Sequence, residues 1–277
     1  MAATTSTTLD DLFANIILQA RFTAEEQSIM LGLVTNYNIA GQAGKSIQVP
    51  KYPSLSAADL TEGQDMSSST VSTSSVTATI KEVGAQVLLT DVARMGAGNP
   101  AVELGTVLGN SIAKKMDQDL IALFDGFSTS LGAASQEITV ADIFKAAATL
   151  RAANAPGSVA AVLHPFHAYQ LQANLTNTFA NPNGGDAQNE AMRNGFVGSL
   201  AGIDIYQSSN ITVDGSGDAK GAVFVPEALA IAMKRDFEIE VQRDASLRAD
   251  ELNATAVYGI AELDDSYGVE MLFDATL

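Results

Sequence analysis

Cysteine is absent from these 277 residues, which excludes disulfide staples, thiolate metal sites and thiol nucleophiles together. Positive charge is scarce. Lys and Arg number 15 against 32 Asp and Glu, for a formal net charge of −17, and the cations are scattered from Arg21 to Arg248 without forming a block. An electrostatic grip on nucleic acid needs clustered cations, so the chain does not read as a nucleic-acid reader, and its negative surface fits solubility. Long apolar runs are missing too: although 47% of residues are hydrophobic and the mean hydropathy is +0.13, no stretch approaches the roughly 18 residues a membrane helix needs. The apolar area is therefore buried in protein, within or between subunits. The start of the chain has no basic leader before its apolar residues and carries Asp10 and Asp11, so no signal peptide is expected and synthesis in a cytoplasm is the default.

The most informative feature present is a polar, serine-rich stretch between two alternating strands, from Lys45 to Asp91. The first strand carries Ile47 and Val49 up to Pro50, whose missing N–H belongs on an edge or at a bend. The return strand places Val76, Ala78 and Ile80 on one parity and Val83, Ala85, Val87 and Leu89 on the other. That switch at Lys81 and Glu82 predicts a β-bulge and a bend. Ser54 to Ser75 offers almost nothing apolar, and a two-stranded ribbon alone in water is marginal. The ribbon must lie on something, and another copy of the chain is the expected partner.

Before the ribbon, Leu9 to Ala20 is weakly amphipathic, with Leu12, Phe13, Ile16 and Ile17 on one helical face, which reads as an arm. After it, Asn99 as N-cap and Pro100 at the first position open a long helix that Gly126 closes. Its stripe is Leu104, Val107, Leu108, Ile112, Met116, Leu120, Leu123 and Phe124. A second helix starts at Thr139, with Asp142 three residues on, and stops at Asn154 to Gly157. A buried strand at Val159 to Leu163, a helix begun by Pro165, an irregular stretch from Asn174 to Asn194 and a strand at Ile203 to Gln207 follow. Alternating strands carry Phe237, Ile239 and Val241, then Val269, Met271 and Phe273. This order suits an α+β protein rather than a doubly wound sheet.

Three patterns imitate binding chemistry. Gly96, Gly98 and Ala101 form a G-x-G-x-x-A string between a strand and a helix. A dinucleotide site, however, needs a second parallel strand ending in an acid about 20 residues on, and here Asp117 and Asp119 fall inside the helix, so the glycines read as a tight turn before Asn99. Asp214, Ser216 and Asp218 resemble the start of a calcium loop, but Ala219 replaces the turn glycine and Glu227 comes too late to close it; a surface turn is the reading. His164 and His167, the only histidines, could share a metal only with distant carboxylates, and Pro165 between them has His164 ending a strand and capping a helix. The adjacent Asp264 and Asp265 read as a solvated turn. With no G-x-S-x-G elbow, no nucleophile with a base is visible. No enzyme activity, cofactor or metal is expected.

The element order, together with the phrases QVLLTDVARMG, VLHPFHAYQL, GSLAGIDIYQSSNI, GAVFVPEALAIA and LNATAVYGIAELDDSYGV, resembles tailed-phage major capsid proteins of the Hong Kong 97 fold across nearly the whole chain. The resemblance implies an N-terminal arm over residues 1–43, an extended loop over 44–92, a spine helix and peripheral domain over 93–156, an axial domain over 157–222 and returning strands over 223–277. It implies self-assembly through pentamers and hexamers into an icosahedral shell enclosing DNA without sequence-specific binding. A portal is a further partner implied, with a scaffolding protein that is either separate or absent, and with or without decoration proteins. The virion would be its location, after synthesis in the host bacterial cytoplasm. Contacts between subunits are expected at Leu12, Phe13, Ile16, Ile47, Val49, Lys51, Val76, Ile80, Lys81 and Glu82. An encapsulin-type nanocompartment packaging an enzyme is the alternative on the same fold.

Overall fold

The computed structural model describes residues 28–52, 70–97, 101–179, 199–200 and 202–276, with positions 55, 57, 59, 62, 63, 65 and 68 between. A 3-10 turn at Met30–Gly32 leads into β1 (Thr35–Asn38), β2 (Ser46–Lys51) and the 17-residue β3 (Ser74–Thr90). Next come a short helix α1 (Asp91–Ala97) and the 21-residue α2 (Ala101–Ile121), which tightens into a 3-10 turn through Gly126. Then follow β4 (Ser130–Gly132), α3 (Val140–Ala152), β5 (Val159–Leu163), α4 (Pro165–Phe179), β6 (Ser199–Leu200) and β7 (Ile203–Gln207). The chain closes with β8 (Asp218–Phe224), β9 (Leu229–Asp244), β10 (Ala249–Glu262) and β11 (Gly268–Asp274). Two mixed sheets result, ordered β1-β9-β10-β3-β2 and β4-β11-β8-β5-β7-β6.

The expected α2 stripe is the hinge of the core. Leu108, Ile112, Met116, Leu120 and Phe124 are buried together with Leu252, Ala254, Ala256 and Tyr258 of β10 and with Ala222 and Phe224 of β8, so one helix packs against both sheets. Val107 departs from the expected stripe and faces outward, 56% exposed. The expected caps Asn99 and Pro100 lie outside the described residues. On the far face of the second sheet, Ile143, Ala147 and Leu150 of α3 pack on Val269, Met271 and Phe273 of β11. The amide and hydroxyl of Thr139 both donate to the Asp142 carboxylate (3.1 and 2.6 Å), which is the start signal read from the sequence. Asn154 and Gly157, both at positive φ, end that helix.

Two expectations change. Residues 28–43 do not all belong to an arm: Met30 is fully buried, Val34 and Ile39 nearly so, and β1 pairs in parallel with β9. Nor is there a bulge at Lys81. The β3–β10 register runs unbroken from Thr79↔Ile260 to Thr90↔Ala249, and the irregularity sits between β9 and β10 near Val257. The apolar parity of β3 switches because its two halves are covered from opposite sides. Val83, Ala85, Val87 and Leu89 turn to the core with α2, whereas Val76 shares a cleft with Val49, Leu263 and Tyr267.

Where the two cores meet, Gly268 lets the chain pass the ring of Phe127 so closely that an added Cβ would overlap three ring carbons. Gly268→Ala is therefore expected to cost about 1–3 kcal/mol by overpacking, with partial recovery in Gly268→Ala/Phe127→Leu. Gly215→Ala, where a Cβ meets nothing within 4 Å, is the control. Urea melts in which both alanine variants matched the wild type would remove this packing contact.

Candidate assembly interface

Six residues of β3 mark where the ribbon leaves the body. Strand β2 pairs with β3 over Ser74–Thr79, whereas β10 pairs only from Thr79 onward. The hairpin thus projects beyond the sheet as two strands, with β2 at the sheet edge. The far end of its ladder, at the Lys51–Ser74 pair, is strapped to the body by Lys51, whose ammonium lies 2.6 Å from Asp264. Burial alone would raise the Asp264 pKa, but hydrogen bonds from Lys51 and Ser266 outweigh it and hold the carboxyl below its usual value. That carboxylate also accepts from the amide and hydroxyl of Ser266 (3.1 and 2.7 Å), so the Asp264–Asp265 pair forms the expected turn, but Asp264 is not solvated as expected: its side chain is only 15% exposed and ion-paired.

The expected contact residues are distributed as follows. Ile47, Val49, Val76 and Ile80 are half-buried along the hairpin. Lys81 turns inward onto α2, 2.6 Å from Asp119 and 5.7 Å above the Tyr258 ring. Glu82 faces the uncovered side of the sheet and meets Arg235 at 2.7 Å. Leu12, Phe13 and Ile16 lie outside the described residues.

Asp119 is a convergence point that the sequence reading passed over. It accepts from Lys81, from Lys115 (2.9 Å) and from the buried Tyr258 hydroxyl (2.6 Å). Burial would raise its pKa, but these three donors together lower it. Two residues earlier, on the opposite side of the helix, fully buried Asp117 accepts from the Ser28 hydroxyl (2.8 Å), the amides of Ile29 and Met30 (3.3 Å each) and the Asn210 side chain (3.4 Å). Desolvation outweighs these bonds and raises its pKa. Through Asp117, α2 anchors the chain at Ser28–Met30. Two aspartates set among the apolar residues of one helix were the available signal, because a buried carboxylate requires partners.

The other end of β3 carries a second polar lattice. The Thr90 hydroxyl accepts from the Ala93 amide (3.2 Å) and starts α1, a helix missed because seven residues show no periodicity. Arg243 binds Asp91 with both terminal nitrogens (2.8 and 2.7 Å) and reaches Asp250 (3.2 Å), which also pairs with Arg94. Gly96 lies within α1, so it is helical rather than part of a tight turn, and Gly98 lies outside the described residues.

The patterns that imitate ligand sites resolve into local structure. The Asp214 carboxylate accepts from the amides of Ser216 and Asp218 (2.8 and 2.9 Å), which occupies it within its own turn. His164 Nδ1 accepts from the Phe166 amide (3.3 Å), capping α4. His167 Nε2 donates to the Phe273 carbonyl (3.2 Å), and burial lowers its pKa, so the ring is neutral at physiological pH. Among the described residues no three metal-binding side chains cluster, and no helix is long and apolar enough to cross a membrane.

Comparison with known proteins agrees with this architecture. The sequence pattern of the family described as phage capsid protein matches residues 73–269, more than half of the chain. No curated protein matches. The capsid of cyanophage P-SCSP1u superposes with a TM-score of 0.71 at 18% identity, covering 90% of this chain and 89% of that one. The head of Helicobacter pylori bacteriophage KHP40 gives 0.69 at 12% identity, with 90% and 92% covered. The virus-like particle from Pyrococcus furiosus gives 0.64 at 13% identity, with 94% and 98% covered. The fold is thus that of phage capsid subunits. This chain belongs to the phage capsid protein family, and its role is that of a major capsid protein.

Proposed function

We propose that copies of this chain close into an icosahedral shell of pentamers and hexamers around the double-stranded DNA of a tailed bacteriophage, held together chiefly by the β2–β3 hairpin. The observation behind this reading is the ribbon itself: Ser74–Ala78 has β2 as its strand partner and extends past the end of the β10 pairing. A projecting pair of strands gains stability when a neighbour supplies the missing surface. Ile47, Val49, Lys51, Val76, Ile80, Lys81 and Glu82 are the hairpin residues that take part, and Leu12, Phe13 and Ile16 tie neighbours through the N-terminal arm. Individually weak contacts hold the shell because leaving requires several to break at once.

On this reading residues 44–92 are the extended loop, 93–156 the spine helix and peripheral domain, 157–222 the axial domain and 223–277 the returning strands. The chain is made in the host bacterial cytoplasm, and a portal, a separate scaffolding protein and decoration proteins are its partners. Its −17 charge keeps the wall from adhering to the packed genome.

Negative-stain microscopy of the purified protein, alone and with its scaffold, is expected to show shells, tubes or capsomer rings. Monomers under every condition would overturn the proposal. Because the Pyrococcus particle shares the fold, the contents decide between cargoes: DNA is expected inside, whereas one co-purifying enzyme without DNA would mark a nanocompartment.

A further inference from the structure

Helix α4 is held to the body by hydrogen bonds more than by apolar contact. Among its described residues the buried side chains are His167, Ala168, Gln170 and Leu171, and only Leu171 belongs to an apolar core. Helix α3, by contrast, contributes Ile143, Ala146, Ala147 and Leu150 to that core. His167, Gln170 and Asn174 recur at three- and four-residue steps, so they share one face of α4. That face is a row of hydrogen bonds. The His167 ring reaches the Phe273 carbonyl (3.2 Å). Gln170 donates to the carbonyls of Asp274 and Thr276 (3.0 and 3.3 Å) and accepts from the Ile138 amide (3.3 Å). Asn174 donates to the Ile138 carbonyl (3.0 Å).

One member of this row is of the type that titrates near neutrality. His167 is fully buried, and with Nε2–H on the Phe273 carbonyl its Nδ1 has no hydrogen-bond partner among the described residues. A second proton would sit on Nδ1 as an unmet donor carrying a buried charge, which is costly. Burial is the largest influence against charging the ring, and His164, just after β5, adds to it, while Asp274 of β11 and Asp218 of β8 favour the charge without overcoming burial. Both carboxylates are engaged elsewhere. Asp274 accepts from the amide and hydroxyl of Thr276 (2.9 and 3.0 Å), and Asp218 accepts from the Ser135 amide (2.7 Å). In α3, which packs beside α4, Asp142 and Lys145 pair with each other (2.8 Å), and Glu137, next to Ile138, is exposed.

We infer that this row is an acid-sensitive clasp: when His167 takes up a second proton, α4 detaches from β11 while the apolar cores of both sheets stay closed. Opening carries the ring into water, where a histidine is ordinarily half protonated at pH 6.5. The clasp is therefore closed above that pH, and each pH unit below it multiplies the open population by up to about ten, until the closed ring itself titrates. The device belongs to the single subunit and does not rest on the assembly proposed above.

Hydrogen exchange read by mass spectrometry on the full chain tests the clasp, with the protection of each peptide taken relative to the unfolded chain at the same pH. Between pH 7.5 and 5.5 the protection of α4 is expected to fall severalfold, up to about tenfold, while that of α2 is unchanged. His167→Gln keeps an amide that can donate to the Phe273 carbonyl but cannot be protonated, so its α4 protection is expected to be equal at the two pH values. His164→Gln is expected to retain the fall. A fall that persists in His167→Gln, disappears in His164→Gln or extends equally to α2 would overturn the clasp, as would no fall in the wild type. A second reading leaves position 167 untouched: the His164→Gln chain has one histidine, whose ring-proton NMR signal is expected to titrate with a midpoint below 6.5. A midpoint at or above 6.5 would equally overturn the proposal.

Discussion

Replacing residues 52–73 by Asn-Gly is expected to leave the subunit folded and to abolish shell formation. Lys51 and Ser74 are cross-strand partners, so a two-residue turn joins them without distorting the ladder. None of the described residues in the segment removed belongs to either buried core, and the strap between Lys51 and Asp264 stays. Loop-closure entropy changes by only about 1–2 kcal/mol for such a shortening, in the stabilising direction. The melting temperature is therefore expected to hold or rise slightly, and sedimentation to show monomers or isolated small oligomers where the full chain forms particles. The opposite result, an unfolded subunit by circular dichroism, would mean that the ribbon belongs to the subunit's own core. Particles of normal size from the shortened chain would remove the hairpin from the assembly mechanism.

The same contrast between local and non-local determinants explains which parts of the fold were legible. The long helix α2, the Thr139–Asp142 start signal and the alternation of Phe237, Ile239 and Val241 are short-range patterns, and all stand in the structure. Strand β1 was missed because its partner lies almost two hundred residues later, at Ala230–Met233. The parity switch in β3 was visible but misread: counting residues cannot tell a bulge from a strand whose two halves are covered on opposite faces. Asp117 and Asp119 were noted only as arguments against a nucleotide site, although an acid on the buried side of a helix predicts a polar hub as directly as leucine predicts a core. The hairpin was legible as a ribbon, but its seat on the body was not, since Val49 and Val76 meet Leu263 and Tyr267 and Lys51 meets Asp264 only in the folded chain.

Asp119→Ala is expected to destabilise the subunit by about 2–4 kcal/mol, and the three donors do not share that loss equally. Lys81 and Lys115 are 43% and 48% exposed, so both ammonium groups can turn to water, and each pair is worth at most about 1 kcal/mol. The Tyr258 hydroxyl has no such escape: its residue is fully buried, and an unsatisfied buried donor costs about 1–3 kcal/mol. Tyr258→Phe removes that donor, so Asp119→Ala/Tyr258→Phe is expected to be more stable than the sum of the single effects implies, by at least about 0.5 kcal/mol. Additivity within error would mean that the hydroxyl and carboxylate are not coupled. The pH dependence has a defined sign. Because the folded pKa of Asp119 lies below its ordinary value of 3.8, its contribution is complete above that value and is lost as pH falls through the lower folded pKa. The stability gap between wild type and Asp119→Ala in urea is thus expected to stay constant from neutral pH to about pH 4.5 and to narrow below it. A gap that widened on acidification would reverse the sign and exclude a charged Asp119 as the acceptor for Lys81 and Tyr258.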